Sequence, residues 1–263
     1  MKKLIVIADW VEDGLRCQEL RTIVEGYLNN PLHPYISFVQ SSHASIHAGF
    51  MAAEIAAIEE RFGRPLETVI FVDLPTKDSE LLIVRLKTGL YVIGPNKGYI
   101  FSLIKQHAEA FFHYPELENK SFRQRDMYYR VISHLLESKQ DDLELEEIHE
   151  SQVPEIQDYI VGHIDSYSNI KTTIPESAIK ETYSHNDIIE ISIQEIKKKV
   201  RYVESLEKAE VGELVLFPGS AGDMKDPYID IAVRQNFSKP PGTTAIREFD
   251  RPAPGAIVIL DNR

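Results

Sequence analysis

Two short segments carry carboxylates where apolar runs end: "IADWVEDG" at residues 7–14 and "GHIDSYSNI" at 162–170. Asp9 and Asp13 follow the run Leu4 to Ala8, and Asp165 and Asn169 follow "DYIVGHI". A strand that runs into a loop of this kind suits the place where open α/β sheets hold their ligands. A carboxylate accepts hydrogen bonds from ribose hydroxyls and an Asn side chain both donates and accepts, so together the two segments suit a nucleoside. The same residue types also form Asx turns and cap helices, and turn chemistry alone does not separate the two roles. Trp10, next to Asp9, is an aromatic at a strand end that either stacks on a ligand or packs in the core. His43 and His47 stand four apart, a spacing that brings two imidazoles to one helix face and fits zinc. No third ligand stands nearby, and a structural or capping role is the simpler reading. "PGSAG" at 218–222 reads as a hairpin turn rather than an anion-binding nest.

The elements that must position these residues follow from periodicity. Strand-like runs at Leu4–Ala8, Ile36–Val39, Thr68–Val72, Leu82–Leu86 and Leu90–Ile93 alternate with helical patterns at Cys17–Leu28 and Ala48–Phe62. Arg123–Glu137 reads as a further helix, and Tyr99 to Phe111 as another after the turn signature "GPNKG". The pattern predicts an α/β domain, a mostly parallel sheet with flanking helices, over residues 1–150. The acidic stretch "ESKQDDLELEEIHE" (137–150) reads as a solvated linker, with Pro154 just beyond it. Short β-rich runs then recur at 159–164, 188–193, 200–203, 213–217 and 228–233, with one more at Ala256–Leu260, so residues 151–263 are expected to form a smaller all-β domain.

Composition bounds the function classes. With 43% apolar and 27% charged residues among 263, the chain is an ordinary globular sequence. A formal net charge of −12 argues against a nucleic-acid surface, and the cluster Lys197 to Arg201 reads as a solvated helix end. No apolar run approaches the roughly 20 residues of a membrane span, so a cytoplasmic location is the default expectation. Cys17 stands alone, which excludes an intrachain disulfide and Cys-based zinc sites.

The order of the motifs resembles that of the S-adenosylmethionine hydroxide adenosyltransferase and fluorinase/chlorinase family, whose members displace methionine from carbon 5′ of the ribose. The stretches that carry the resemblance are "IADWVEDG", "HASIHAGFMAAEIAAIEERF" with "TVIFVD", "RLKTGLYVIGPNKGYI", "SFRQRDMYYRVISHL", "GHIDSYSNIKTTI" and "GELVLFPGSAGDMKDPYIDIAV". They cover nearly the whole chain, and the resemblance implies a barrel-like C-terminal domain. It implies that Asp9 holds the ribose diol, that Asp13 lies near the methionine end in a loop one residue shorter, and that Trp10 takes the place of a Phe or Leu. Asn96 falls where the family has "PDNG" or "PNNG", with Lys97 where those motifs carry Asn. Asp165 and Asn169 match the family's "IDxFGN", Phe217 and the backbone near Val233 match positions that meet adenine, and His43 falls in the "HxIxPxDI" segment. S-adenosylmethionine is then substrate or ligand, with no separate cofactor and no metal.

The water-activating set departs from the family pattern. "VDLPTKDSELL" keeps Asp73, but an ungapped reading puts Glu80 at the Arg position of "VDPGVGTxRR", and Arg123 stands at the His position of "FHGRD". An Arg side chain cannot accept a proton at any useful pH. Either Arg123 pairs with Asp73 and keeps a charged site with its parts exchanged, or catalysis is lost and the protein is a noncatalytic nucleoside-binding regulator. A third reading has Arg123 contacting an anionic substituent of a different nucleoside. Gln124 replaces the serine of the halogenases, and Asp73 would repel a halide.

The resemblance also implies a homotrimer, since the family builds each site from the N-terminal domain of one subunit and the C-terminal domain of the next. Light scattering is expected to give the mass of a trimer at micromolar concentration; a stable monomer would contradict that assembly.

Overall fold

A computed structural model describes residues 1–28, 33–75, 80–114, 123–236 and 242–260, with the backbone alone for 123–126. The chain divides into two compact units, Met1–Glu155 and Ile156–Arg263.

The first unit opens with β1 (Lys3–Ala8), α1 (Gly14–Tyr27), β2 (Tyr35–Gln40), α2 (Ser45–Phe62) and β3 (Thr68–Asp73). It continues through β4 (Leu81–Leu86), β5 (Tyr91–Pro95), β6 (Ala108–His113), α3 (Arg123–Leu136) and β7 (Glu146–Ile148). The sheet order is β2-β1-β3-β5-β4-β6-β7. Strand β1 runs parallel to β2 and β3, and β3 runs parallel to β5, whereas β4, β6 and β7 pair antiparallel. The sheet is therefore mixed, with its parallel half at the β2 side. Apolar residues fill both faces of β1, as a strand covered on two sides requires. Leu4, Val6 and Ala8 share a core with Cys17, Leu20 and Val24 of α1 and with Tyr129 and Ile132 of α3. Ile5 and Ile7, pointing the other way, pack with Ala48, Ala52 and Ala56 of α2 and with Ile100, Phe101 and Ile104.

Two expectations change here. Tyr99 to Phe111 is not one helix: a short turn ends at His107 and β6 begins at Ala108. The backbone of Ala108–His113 pairs with β4 and β7, and this pairing outweighs the helix propensity of its Ala and Glu residues. The acidic stretch is not simply a solvated linker, because Glu146–Ile148 forms β7 on the sheet edge.

The second unit consists of β8 (Val161–Ile164), β9 (Ile170–Pro175), α4 (Glu176–Lys180), β10 (Ile188–Ile193), β11 (Ile196–Tyr202), β12 (Leu214–Asp223), β13 (Asp226–Val233), α5 (Ala245–Glu248) and β14 (Val258–Leu260). Its sheet order is β14-β10-β11-β12-β13-β9-β8. A bridge between Ile160 and Ile257 brings the two ends of this sheet together, giving a nearly closed barrel. Closure removes most exposed strand edge. The basic cluster Lys197 to Arg201 is a strand, not a helix end: Val200 is buried while Lys197 and Lys199 are exposed, the alternation of a half-buried β11. "PGSAG" is likewise not the turn, since β12 continues through an irregularity between Pro218 and Gly222 and the chain reverses at Met224 and Lys225. Among the described residues no helix is long and apolar enough to cross a membrane.

Candidate functional site

The sheet of the first unit sends its chain from β1 outward to β2 and then back across β1 to β3. The strand order therefore reverses direction between β1 and β3, and open α/β sheets hold ligands at the C-terminal ends of strands at such a point. Ala8, the last residue of β1, lies in register with Asp73, the last of β3. Two residues on, the Trp10 indole Nε1 donates to Asp73 Oδ2 at 3.0 Å. The hydrogen bond is charge-assisted and partly buried, which makes it worth about 1.5–3 kcal/mol. Trp10 itself is buried, meets Phe38 edge to face and has the Arg16 guanidinium over its ring at 4.5 Å. Its place is thus in the core, as an anchor for Asp73, and its ring is not open for stacking.

Asp9 is the first residue after β1. Its carboxylate is almost wholly covered, with 6% of the side chain exposed, and its Oδ2 pairs with Nδ1 of His43. His43 comes from the loop between β2 and α2 and keeps 83% of its side chain exposed. That loop is tied down on both sides. Ser41 N donates to Ala8 O at 2.8 Å, Gln40 Nε2 donates to Asp9 O at 3.0 Å, and Ser42 N donates to His47 Nδ1 at 3.0 Å. Because a backbone N–H can only donate, His47 Nδ1 is an acceptor and a neutral His47 carries its proton on Nε2. A neutral His43 has the opposite tautomer, assigned from its carboxylate partner: Nδ1 holds the proton and Nε2 is the remaining acceptor. Both Nδ1 atoms of the pair are occupied, and among the described residues no group of three His, Cys, Asp or Glu side chains is gathered for a metal.

The remaining residues of the first unit take more local parts. Asp13 caps α1, its Oδ1 accepting from Leu15 N at 3.0 Å and Arg16 N at 3.3 Å. Asn96 closes the β5 loop through its N–H to Glu80 O at 2.8 Å, and Lys97 Nζ donates to Pro75 O at 3.1 Å. Glu80 faces His113 at 3.9 Å. Arg123 begins α3, but its side chain, like that of Gln124, lies outside the described residues. Tyr128 of the same helix is buried, and burial together with the Asp73 charge pushes its phenol up to about 12. It remains neutral at physiological pH, a donor beside Asp73 that the helical periodicity alone did not distinguish from any other core aromatic.

A second constellation lies within the second unit. The Asp165 carboxylate organises the β8 to β9 turn, accepting at Oδ1 from Tyr167 N at 2.8 Å and Asn169 N at 2.9 Å, and at Oδ2 from Asn169 Nδ2 at 3.0 Å. Ser168 supplies the left-handed position at φ 66°. This turn presents Tyr167 and Asn169 to a hollow of about 410 Å³ that Leu206, Val233 and Arg234 also line. Phe217 packs with Leu206 against the small apolar cluster of Val203, Ala209 and Val215. Arg234 is fixed by Nη1 donating to Glu207 O at 2.9 Å and to Ala209 O. A depression of about 460 Å³ at the N-terminal ends of β1, β3 and β5 is less suited to chemistry, because its Lys2, Arg85 and Lys87 already have protein partners.

Beneath the turn, Lys171 of β9 and Asp230 of β13 are opposite one another, with Nζ 3.1 Å from Oδ2. Asp230 Oδ1 is buried with no hydrogen-bond partner among the described residues, and a Cβ at Gly219 would collide with it. Burial pushes the Asp230 carboxyl up to about 6, although Lys171 pulls the other way. His163, half-buried near Lys171 and Asp165, is lowered, chiefly by burial. Neither Asp230 nor Lys171 stood out in the sequence, since the signal is their pairing across two strands.

No protein-family model matches this chain, and no curated protein matches it in sequence. Among solved structures, an "uncharacterized conserved protein" from Thermotoga maritima superimposes with a TM-score of 0.71 at 15% identity, covering 97% of this chain and 98% of that one. A "conserved hypothetical protein" from Thermus thermophilus gives a TM-score of 0.67 at 14% identity, covering 99% and 100%. At these identities the likeness is one of fold, extending over the full length of both chains.

The buried Asp230 yields a pH dependence with a definite sign. Its folded pKa of about 6 stands above the ordinary 3.8, so the folded state binds this proton more tightly. That contribution is complete below the unfolded value and is lost as pH rises through about 6, an effect on the order of 3 kcal/mol. Urea unfolding of Asp230→Asn is expected to show a flatter pH dependence than the parent across that window; superimposable profiles would contradict the assignment.

Proposed function

We propose that the protein binds S-adenosylmethionine, adenosine or a related nucleoside and hydrolyses S-adenosylmethionine slowly to adenosine and methionine. The observation that carries this reading is the placing of two carboxylates, Asp73 as the last residue of β3 and Asp9 as the first after β1, at the same end of adjacent parallel strands where the chain reverses across the sheet. Open α/β sheets hold ligands at that position, and the motif resemblance assigns a ribose acceptor to Asp9 and a reaction-side carboxylate to Asp73. The hollow beside Asn169 and Val233 supports a purine role for the second unit, because its volume of about 410 Å³ falls within the ~300–1,000 Å³ of small-ligand sites. A homotrimer belongs to the same reading.

The chemistry asks little of covalent catalysis. The sulfonium already activates carbon 5′, so the protein has to hold the ribose, exclude bulk water and align one nucleophile, and proximity supplies much of the acceleration. Slowness follows from the two exchanged positions: Glu80 stands in place of a guanidinium, and Arg123 in place of an imidazole. Glu80 also gives substance to a second reading, a noncatalytic nucleoside-binding regulatory protein, since its carboxylate faces His113 and brings no positive charge to Asp73.

Calorimetry with adenosine, S-adenosylmethionine, AMP and ATP separates the ligand from turnover. Adenosine is expected to bind, and Asp9→Asn to weaken that binding by about 1.5–3 kcal/mol through loss of a charged acceptor. Undiminished affinity in Asp9→Asn would remove the ribose role. Release of methionine on incubation with S-adenosylmethionine favours the hydrolase; binding without release favours the regulator.

A further inference from the structure

We infer that His43, oriented by Asp9, is the proton acceptor for the nucleophile at this site. The inference rests on the nucleoside reading above and names the group that would stand in for the imidazole replaced by Arg123.

Three observations converge on His43. Its Nδ1 is bound to a carboxylate that is almost completely covered, so the ring is held in one tautomer and one orientation. A carboxylate behind an imidazole also stabilises the imidazolium that forms when the far nitrogen takes a proton. The second observation is place: the loop carrying His43 is stitched to the end of β1 by Ser41 and Gln40, which brings it to the same sheet end as Asp73. The third is exposure, since 83% of the His43 side chain is open while its Asp9 partner is 6% exposed. A histidine serving only to satisfy Asp9 gains nothing from leaving most of its ring in water. His47, four residues on, shows the structural alternative: it is buried, and its Nδ1 is consumed by the loop backbone.

The step balances without a further reagent. A water oxygen forms the bond to carbon 5′ as the bond from carbon 5′ to sulfur breaks, and the bonding pair leaves with the sulfur of methionine. The water proton passes to His43 Nε2, giving adenosine, methionine and an imidazolium that returns its proton to solvent. Asp9 acts as a positioning residue for the ring.

The test uses the full chain with S-adenosylmethionine, following methionine release and, separately, adenosine binding by calorimetry. His43→Ala is expected to lower turnover at saturating S-adenosylmethionine by roughly 10²–10⁴-fold. Because the ring is exposed, its removal opens no apolar cavity, and added imidazole is expected to restore part of the rate, which a structural role would not allow. Parent-like turnover in His43→Ala, or a loss that imidazole does not restore, overturns the role of His43 and leaves the nucleoside reading standing. Binding by the parent with no methionine release overturns it as well. Failure of the parent to bind any of the nucleosides overturns both.

Discussion

Where a chain crosses back over the first of its parallel strands, the strand order reverses, and the C-terminal ends of the two strands at that point are where open α/β sheets hold ligands. In the first unit that constraint falls on β1 and β3, and the rest of the site hangs from it. Trp10 buries its ring under the loop that follows β1 and uses its one polar atom to fix Asp73. Asp9, the first residue after β1, pairs with His43, whose loop is bonded back to Ala8 and Asp9. The apolar faces of α1 and α2 hold the strands from either side, so Asp73 is carried by a packed strand, while Asp9 stands in the turn just after β1 and is held by its partner His43.

The second unit solves a different problem, a charge pair inside a barrel wall. Lys171 and Asp230 satisfy one another through one carboxylate oxygen, and the other is buried without a partner among the described residues. Burial costs more than the lysine returns, so the carboxyl titrates near 6. The pair lies in the strands that carry the Asp165 to Asn169 turn and the Val233 end of β13.

Much of this was legible in the chain because it is governed by local pattern. The run "KLIVIA" can be buried only on two faces, and the carboxylates after it announce the end of a strand. The places where reading failed are those where partners distant in sequence decide the outcome. Ala108–His113 has the residues of a helix yet is a strand because β4 and β7 flank it. "KKKVR" looks like a charged helix end until β10 and β12 pair with it. The carboxylates at 9, 13 and 165 look alike in sequence, but Asp13 is spent on a helix cap and Asp165 on its own turn, while Asp9 holds an imidazole from 34 residues away. The comparisons with solved structures support the architecture across the whole chain and leave its chemistry to these side chains.

The central claim is that the ends of β1 and β3, with Asp9, His43 and Asp73, form a nucleoside site. A crystal structure of the protein with adenosine tests it most directly. The account predicts density for the nucleoside at that end of the sheet, with a ribose hydroxyl or the 5′ oxygen in hydrogen-bond contact with Asp9 or His43. Nucleoside density elsewhere, with the contact between Asp9 and His43 undisturbed and no ligand beside it, would contradict it.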